Sequence, residues 1–126
     1  MPMIKKDLSG ERLVEVVVSG MQEKKAKQIS VLDLRGLDHA VADFFVICNA
    51  ESTTQVSAIA DSVEFFTFQN LKEKPQHVEG TQNAIWILLD YGNVVVHVFQ
   101  DEAREFYDIE SFWADAVRKD YVENKI

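Results

Sequence analysis

The stretch Ala84–Phe99, AIWILLDYGNVVVHVF, constrains the fold more than any other part of the chain. Two apolar runs flank a short break, and Gly92 and Asn93 tolerate the positive φ of a tight reversal, so a β-hairpin is predicted. With Tyr91-Gly92 as the loop, Leu89 pairs with Val94, Leu88 with Val95, Ile87 with Val96 and Trp86 with His97. Side chains alternate across a strand. One face then carries Ile85, Ile87, Leu89, Val94, Val96 and Val98, apolar throughout and expected to be core. The other carries Trp86, Leu88, Val95 and His97, with Asp90 at the turn. An indole and an imidazole among aliphatics, edged by a carboxylate, suit docking better than catalysis.

A chain of 126 residues with 47% hydrophobic content is expected to form one domain over 1–126, with the first few residues and 120–126 frayed. Its net charge of -8 comes from 13 basic and 21 acidic residues, which argues against the basic stripe of a nucleic-acid binder. Negative charge favours a basic partner through complementary fields, or simply keeps the protein soluble. The lone Cys48 excludes an intramolecular disulfide and lies in the apolar run Phe44–Cys48, where a buried, inert thiol is expected. No run approaches the ~20 apolar residues needed to span a bilayer. The opening MPMIKKDLSGERL lacks the hydrophobic segment of a signal peptide, and a cytoplasmic protein is expected.

Asp7 or Ser9 is placed to cap a helix over Gly10 to Lys25, with Leu13, Val14, Val17, Val18 and Met21 at helical spacing. Ile29–Leu34 reads as a strand, and Phe44–Cys48 as a central strand covered on both sides. Ser52 or Thr53 caps a second helix ending near Asn70, with Val56, Ile59, Ala60, Val63 and Phe66 as its buried stripe. Pro75 opens a short strand, Gln76–Glu79, ahead of the hairpin. Asp101 caps a helical segment to Tyr107, and Asp108 or Glu110 begins another to Arg118, anchored by Phe106, Ile109, Phe112, Trp113 and Val117. The order is helix, strand, strand, helix, strand, strand, strand, helix. It predicts an α/β fold, a mixed sheet of about five strands packed by helices, with a parallel crossover through the second helix.

Several segments together resemble the ribosomal silencing factor family, also called Iojap-related, over about Ser30 to Trp113. They are Asp43-Phe44-Phe45-Val46-Ile47-Cys48, then Val56 with Ile59-Ala60-Asp61, then Val78-Glu79-Gly80. The hairpin adds Trp86-Ile87, Asp90 with Gly92, and Val96-His97-Val98-Phe99, followed by Arg104, Tyr107, Glu110 and Trp113. The resemblance implies a nucleotidyltransferase-like fold without that activity. It implies a translational repressor that binds the large ribosomal subunit through the universal large-subunit protein fourteen. Bound there, it blocks joining of the small subunit when nutrients are scarce. A homodimer in the free state is also implied. The partner-facing tryptophan of the family maps onto Trp86. The chain departs from the family pattern at Asn49-Ala50, where many members have Thr-Gly, at Gln55, and at Asn93 after the hairpin glycine.

The residues expected at the partner surface are Trp86, Leu88, Asp90, Val95, His97, Glu79, Arg104 and Tyr107. Trp86 reads either as the centre of that surface or as filling beneath the terminal helices. His97 reads as a structural residue, a direct contact, or a group that orients the indole. Arg104 and Tyr107 are expected to reach toward the hairpin, with Arg104 pairing with Asp90 or Glu79. Phe112 and Trp113 read as packing residues, and Asp43 as a carboxylate holding a loop. Among His77, Glu79, Asp90 and His97, the i, i+2 pair His77 and Glu79 shares a strand face and is a possible metal pair, but no HExxH or paired-cysteine spacing appears, and neither a metal nor a cofactor is expected. The Ser52-Thr53-Thr54 helix start lacks the glycine and lysine of a phosphate cradle. No membrane or sequence-specific nucleic-acid partner is expected. The competing readings are a degenerate nucleotidyltransferase-like enzyme and a dimerisation module for another basic protein.

Overall fold

The computed structural model describes residues 10–122. Its elements are α1 (Glu11–Glu23), β1 (Lys27–Asp33), β2 (Phe44–Ala50), α2 (Thr53–Leu71), β3 (His77–Glu79), β4 (Trp86–Asp90), β5 (Val94–Gln100), α3 (Asp101–Tyr107), α4 (Ile109–Phe112) and β6 (Val117–Asp120). The strands form one six-stranded sheet in the order β3-β4-β5-β2-β1-β6. Only β2 and β5 pair in parallel; every other neighbour is antiparallel. The mixed α/β architecture expected from sequence is present, with six strands rather than five.

β2 is buried at every position, which explains why its sequence is a continuous apolar run. One face of the sheet meets α1 and α2 through Phe44, Val46, Cys48, Ile87, Leu89, Val94, Val96 and Val98. The stripe of α1 is the one its spacing predicts, Leu13, Val14, Val17, Val18 and Met21. Gly10 occupies its N-cap position without a side-chain cap, and the expected caps Asp7 and Ser9 lie outside the described residues. Ser52 caps α2 by accepting from the Gln55 amide at 3.1 Å. That helix buries Val56, Ile59, Ala60, Val63 and Thr67, whereas Phe66 is only half-buried. Helices α1 and α2 approach closely at Gly20, where a Cβ would stand 2.9 Å from the Val63 Cα. The Ser62 hydroxyl donates to the Gly20 carbonyl at 2.7 Å across this contact.

The hairpin forms, in a register two residues from the expected one. Trp86 pairs with Phe99, Ile87 with Val98, Leu88 with His97, Leu89 with Val96 and Asp90 with Val95. The reversal centres on Gly92-Asn93, with the Tyr91 amide donating to the Val94 carbonyl at 2.8 Å and Gly92 at φ +93°. Glycine meets that angle without a Cβ clash, which is why the chain turns one residue later than Tyr91-Gly92. An even shift leaves each side chain on its original face, so the division into two faces survives. Ile85 is the exception: it precedes β4 and is 42% exposed rather than core.

The C-terminal region departs most from expectation. Gln100, not Asp101, is the N-cap of α3, and Asp101 is its first residue. The helix expected to run to Arg118 stops at Phe112, and Val117–Asp120 instead pairs antiparallel with β1 as an edge strand. Asp120, expected to be frayed, is therefore in the sheet. Strands β2 and β3 run in the same direction, as the crossover predicts, but α2 carries the chain past β5 and β4 to the far edge.

Candidate functional site

The registers align side chains into rows across the second face of the sheet. One row runs His77, Asp90, Val95, Phe45, Leu32 and Arg118. The next runs Glu79, Leu88, His97, Ile47, Ser30 and Asp120. A third brings Trp86, Phe99, Asn49 and Lys27 together. Ala103 from α3, Ile109 from α4, Trp113, Ala116 and the segment around Leu37 close the middle of this face. Cover thins toward the β3–β4 end, where Leu88 and Trp86 are half-buried and His77 and Glu79 are exposed.

Trp86 is the hub of this open end. Its ring lies 4.9 Å from Phe99 beneath it and 4.8 Å from Tyr107 beside it. Its Nε1–H donates to His97 Nδ1 at 3.1 Å. Tyr107 is 50% exposed, and Phe106, packed edge-on against it, is 80% exposed. Asp90 accepts the Gly92 amide at 2.8 Å, so one carboxylate both holds the turn and borders the face. Glu79 meets His77 at 2.6 Å on the exposed edge strand. The rim beside the aromatic cluster is therefore acidic.

Three of the residues expected at the surface lie inside. His97 is 3% exposed, and burial pushes its imidazole down to about 3, so it is neutral at ordinary pH. Val95 is buried beside it. Arg104 points away from the hairpin, not to Asp90 or Glu79. It donates to the Gln28 carbonyl at 2.6 Å, to Asn49 Oδ1 at 2.8 Å, and to both Glu110 oxygens at 3.1 and 2.7 Å. Asn49 also donates to Asp101 at 2.7 Å, and Lys27 reaches Asp101 at 2.8 Å. Burial pushes the Asp101 carboxyl up, but hydrogen bonds from Lys27 and Asn49 and the Lys27 charge outweigh it, leaving it below its ordinary value.

Sequence reasoning missed this polar network, whose one signal was Asn49, a polar residue directly after the apolar run Phe44–Cys48. It also assigned Phe106, Phe112 and Val117 to packing, whereas they are 80%, 78% and 73% exposed. Phe106 lies two positions after the buried Arg104 on α3, on the side of the helix turned away from it. The Cys48 thiol is fully buried and pushed up to about 12 by desolvation, which keeps it from acting as a thiolate nucleophile. His97 is withdrawn from His77 and Glu79, so the four residues weighed as a metal set do not converge. Among the described residues no helix is long and apolar enough to cross a membrane.

A mixed sheet covered by two helices on one face, with an indole, a tyrosine and an acidic rim at the open end of the other, defines a small α/β protein with a sheet-borne aromatic surface. The family model described as "Ribosomal silencing factor during starvation" matches residues 7–125. The chain belongs to this ribosomal silencing factor family. It is 38% identical over 109 residues to the ribosomal silencing factor of Halalkalibacterium halodurans, covering 86% of this chain and 92% of that protein. It is 35% identical over 109 residues to that of Bacillus subtilis, covering 86% and 91%. A crystal structure of a protein from Chromobacterium violaceum superposes with a TM-score of 0.77 at 29% identity, covering 82% of this chain and 85% of that one.

Proposed function

We propose that this protein is a non-catalytic repressor of translation that docks on the large ribosomal subunit through the universal large-subunit protein fourteen. The bound protein holds off the small subunit by occupying the face where the subunits join, under starvation or in stationary phase. Its site of action is the cytoplasm, and the free protein is a homodimer. Membership of the ribosomal silencing factor family supports the ribosomal target. The observation that carries the docking mode is the half-exposed Trp86 indole, flanked by Leu88 and by Tyr107, on which the exposed Phe106 packs, and bordered by Asp90 and Glu79. Aromatic anchors dominate interface energies because they remove a large apolar area from water at small entropic cost. A net charge of -8 complements a basic ribosomal protein. His97, Val95 and Arg104 contribute from within the fold rather than by contact.

Co-sedimentation with purified large subunits tests the proposal. The wild type pellets with the subunits, and Trp86→Ala loses at least about 2 kcal/mol of binding, the scale of an interface hot spot. Circular dichroism establishes that the variant is folded. A folded Trp86→Ala protein that pellets like the wild type removes the indole from the interface.

A further inference from the structure

Trp86 and His97 are diagonal neighbours on one face of the β4–β5 hairpin, since Trp86 pairs with Phe99 and Leu88 with His97. An indole N–H is a donor and nothing else. The 3.1 Å contact from Trp86 Nε1 to His97 Nδ1 therefore requires a bare Nδ1, and the proton of the neutral imidazole sits on Nε2. That Nε2 is buried with no hydrogen-bond partner among the described residues. The ring itself is held edge-on by Phe45 at 4.5 Å and near-parallel to Phe99 at 6.2 Å. A leucine at this position would fill the same layer and leave no orphaned donor. What a histidine adds here is the Nδ1 acceptor.

We propose that His97 is a positioning residue for the docking indole: its Nδ1 holds Trp86 in one orientation on the sheet, so that a partner meets a ring already in place. This rests on the docking reading above. A side chain ordered before binding surrenders less entropy when the complex forms. Phe99 and Tyr107 hold the ring by packing, whereas the hydrogen bond that fixes its orientation runs from the indole N–H to His97. The indole N–H thereby points inward, and its apolar six-membered edge is what the partner meets.

Three full-length variants decide the matter: His97→Leu, His97→Asn and Trp86→Ala. Asparagine places Oδ1 where the imidazole has Nδ1, retaining the acceptor while losing ring packing; leucine does the reverse. In the free protein, the Trp86 indole N–H resonance, assigned with the help of Trp113→Phe, keeps its position and slow solvent exchange in His97→Asn. In His97→Leu it moves and exchanges faster. Binding to large subunits falls about fivefold in His97→Leu, the usual worth of one neutral hydrogen bond, and stays within about twofold of wild type in His97→Asn. Urea denaturation ranks the two the other way, with His97→Leu the more stable. That crossing of affinity against stability is the signature of positioning, and a purely structural residue does not produce it. The proposal is overturned if affinity follows stability across the pair, or if the indole resonance is unchanged in His97→Leu. Undiminished binding by folded Trp86→Ala sinks the docking reading instead, and the free-protein resonance then still decides whether His97 fixes the ring.

Discussion

Arg104 and Glu110 close a two-point ion pair, Nε to Oε1 at 3.1 Å and Nη2 to Oε2 at 2.7 Å, with both side chains largely withdrawn from water. The same guanidinium bonds the Gln28 carbonyl, Asn49 Oδ1 and the Ser30 hydroxyl, and Arg118 reaches Glu110 from β6 at 3.1 Å. One residue thus ties α3 and α4 to β1 and β2, and through Glu110 to the edge strand. Burial pushes the Glu110 carboxyl up, but the hydrogen bonds and charges of Arg104 and Arg118 outweigh it and hold it below its ordinary value.

Replacing Arg104 by methionine leaves the largely buried Glu110 carboxylate with only the longer Arg118 contact and takes a donor from Asn49 Oδ1. A loss of about 3–5 kcal/mol is expected, measured by urea denaturation at neutral pH. Arg104→Lys recovers little of it, because an ammonium lacks the planar fork that serves Glu110, Gln28 and Asn49 together. A wild-type midpoint for Arg104→Met would show that the network adds nothing to stability.

The buried His97 sets an acid limb of stability. Its folded value is about 3 against an ordinary 6.5, so below pH 6.5 the unfolded chain takes up a proton that the folded one refuses. Stability is therefore full above pH 6.5 and declines as pH falls toward 3, by at most about 1.4 kcal/mol per unit. Glu110, Asp101 and Asp120, all held below their ordinary values, add a second loss only in the carboxylate range. Glu64, raised by burial and by Asp61, acts in the opposite sense there. Urea midpoints between pH 7 and pH 5 should fall in the wild type and stay nearly level in His97→Leu. Parallel slopes would refute the assignment.

The α1–α2 contact depends on a missing side chain. A Cβ on Gly20 would lie 2.9 Å from the Val63 Cα and 3.2 Å from the Ser62 carbonyl oxygen, backbone atoms that cannot rotate away. Although alanine is the better helix former, Gly20→Ala is expected to destabilise by about 1–3 kcal/mol through overpacking. Thermal denaturation measures this, and a raised Tm would mean that the helices part without strain.

The local elements of this fold are legible in its sequence wherever periodicity and burial coincide. The stripe of α1, the uniform run of β2 and the two faces of the hairpin all follow from spacing. The hairpin register does not, because Tyr91-Gly92 and Gly92-Asn93 are both plausible turns and only the backbone angle at Gly92 separates them. The segment at Val117-Arg118 reads as the end of a helix because Trp113 and Val117 lie one helical turn apart. Its strand conformation comes from pairing with β1 and from Ser30, whose hydroxyl donates to Asp120 at 2.6 Å. The candidate site was legible at Trp86 and Leu88, whose neighbours along the strand show which face they occupy. It was not legible at His97 or Arg104, whose surroundings come from segments far along the chain.

That dependence on distant segments bears on how the molecule assembles. The hairpin and each helix close on contacts near in sequence, whereas Phe44 must find Val94, and Ser30 must find Asp120, 90 residues away. Such long-range closures slow folding, because chain entropy is lost before the new contacts reward it. The order of events is thereby built into the topology. Contacts local in sequence are expected to close before the parallel seam between β2 and β5, and β6 joins β1 across the longest separation in the sheet. While that seam is open, the flanks of β2 that the finished fold buries completely face water, and an unpaired apolar strand of this kind is prone to wrong pairing.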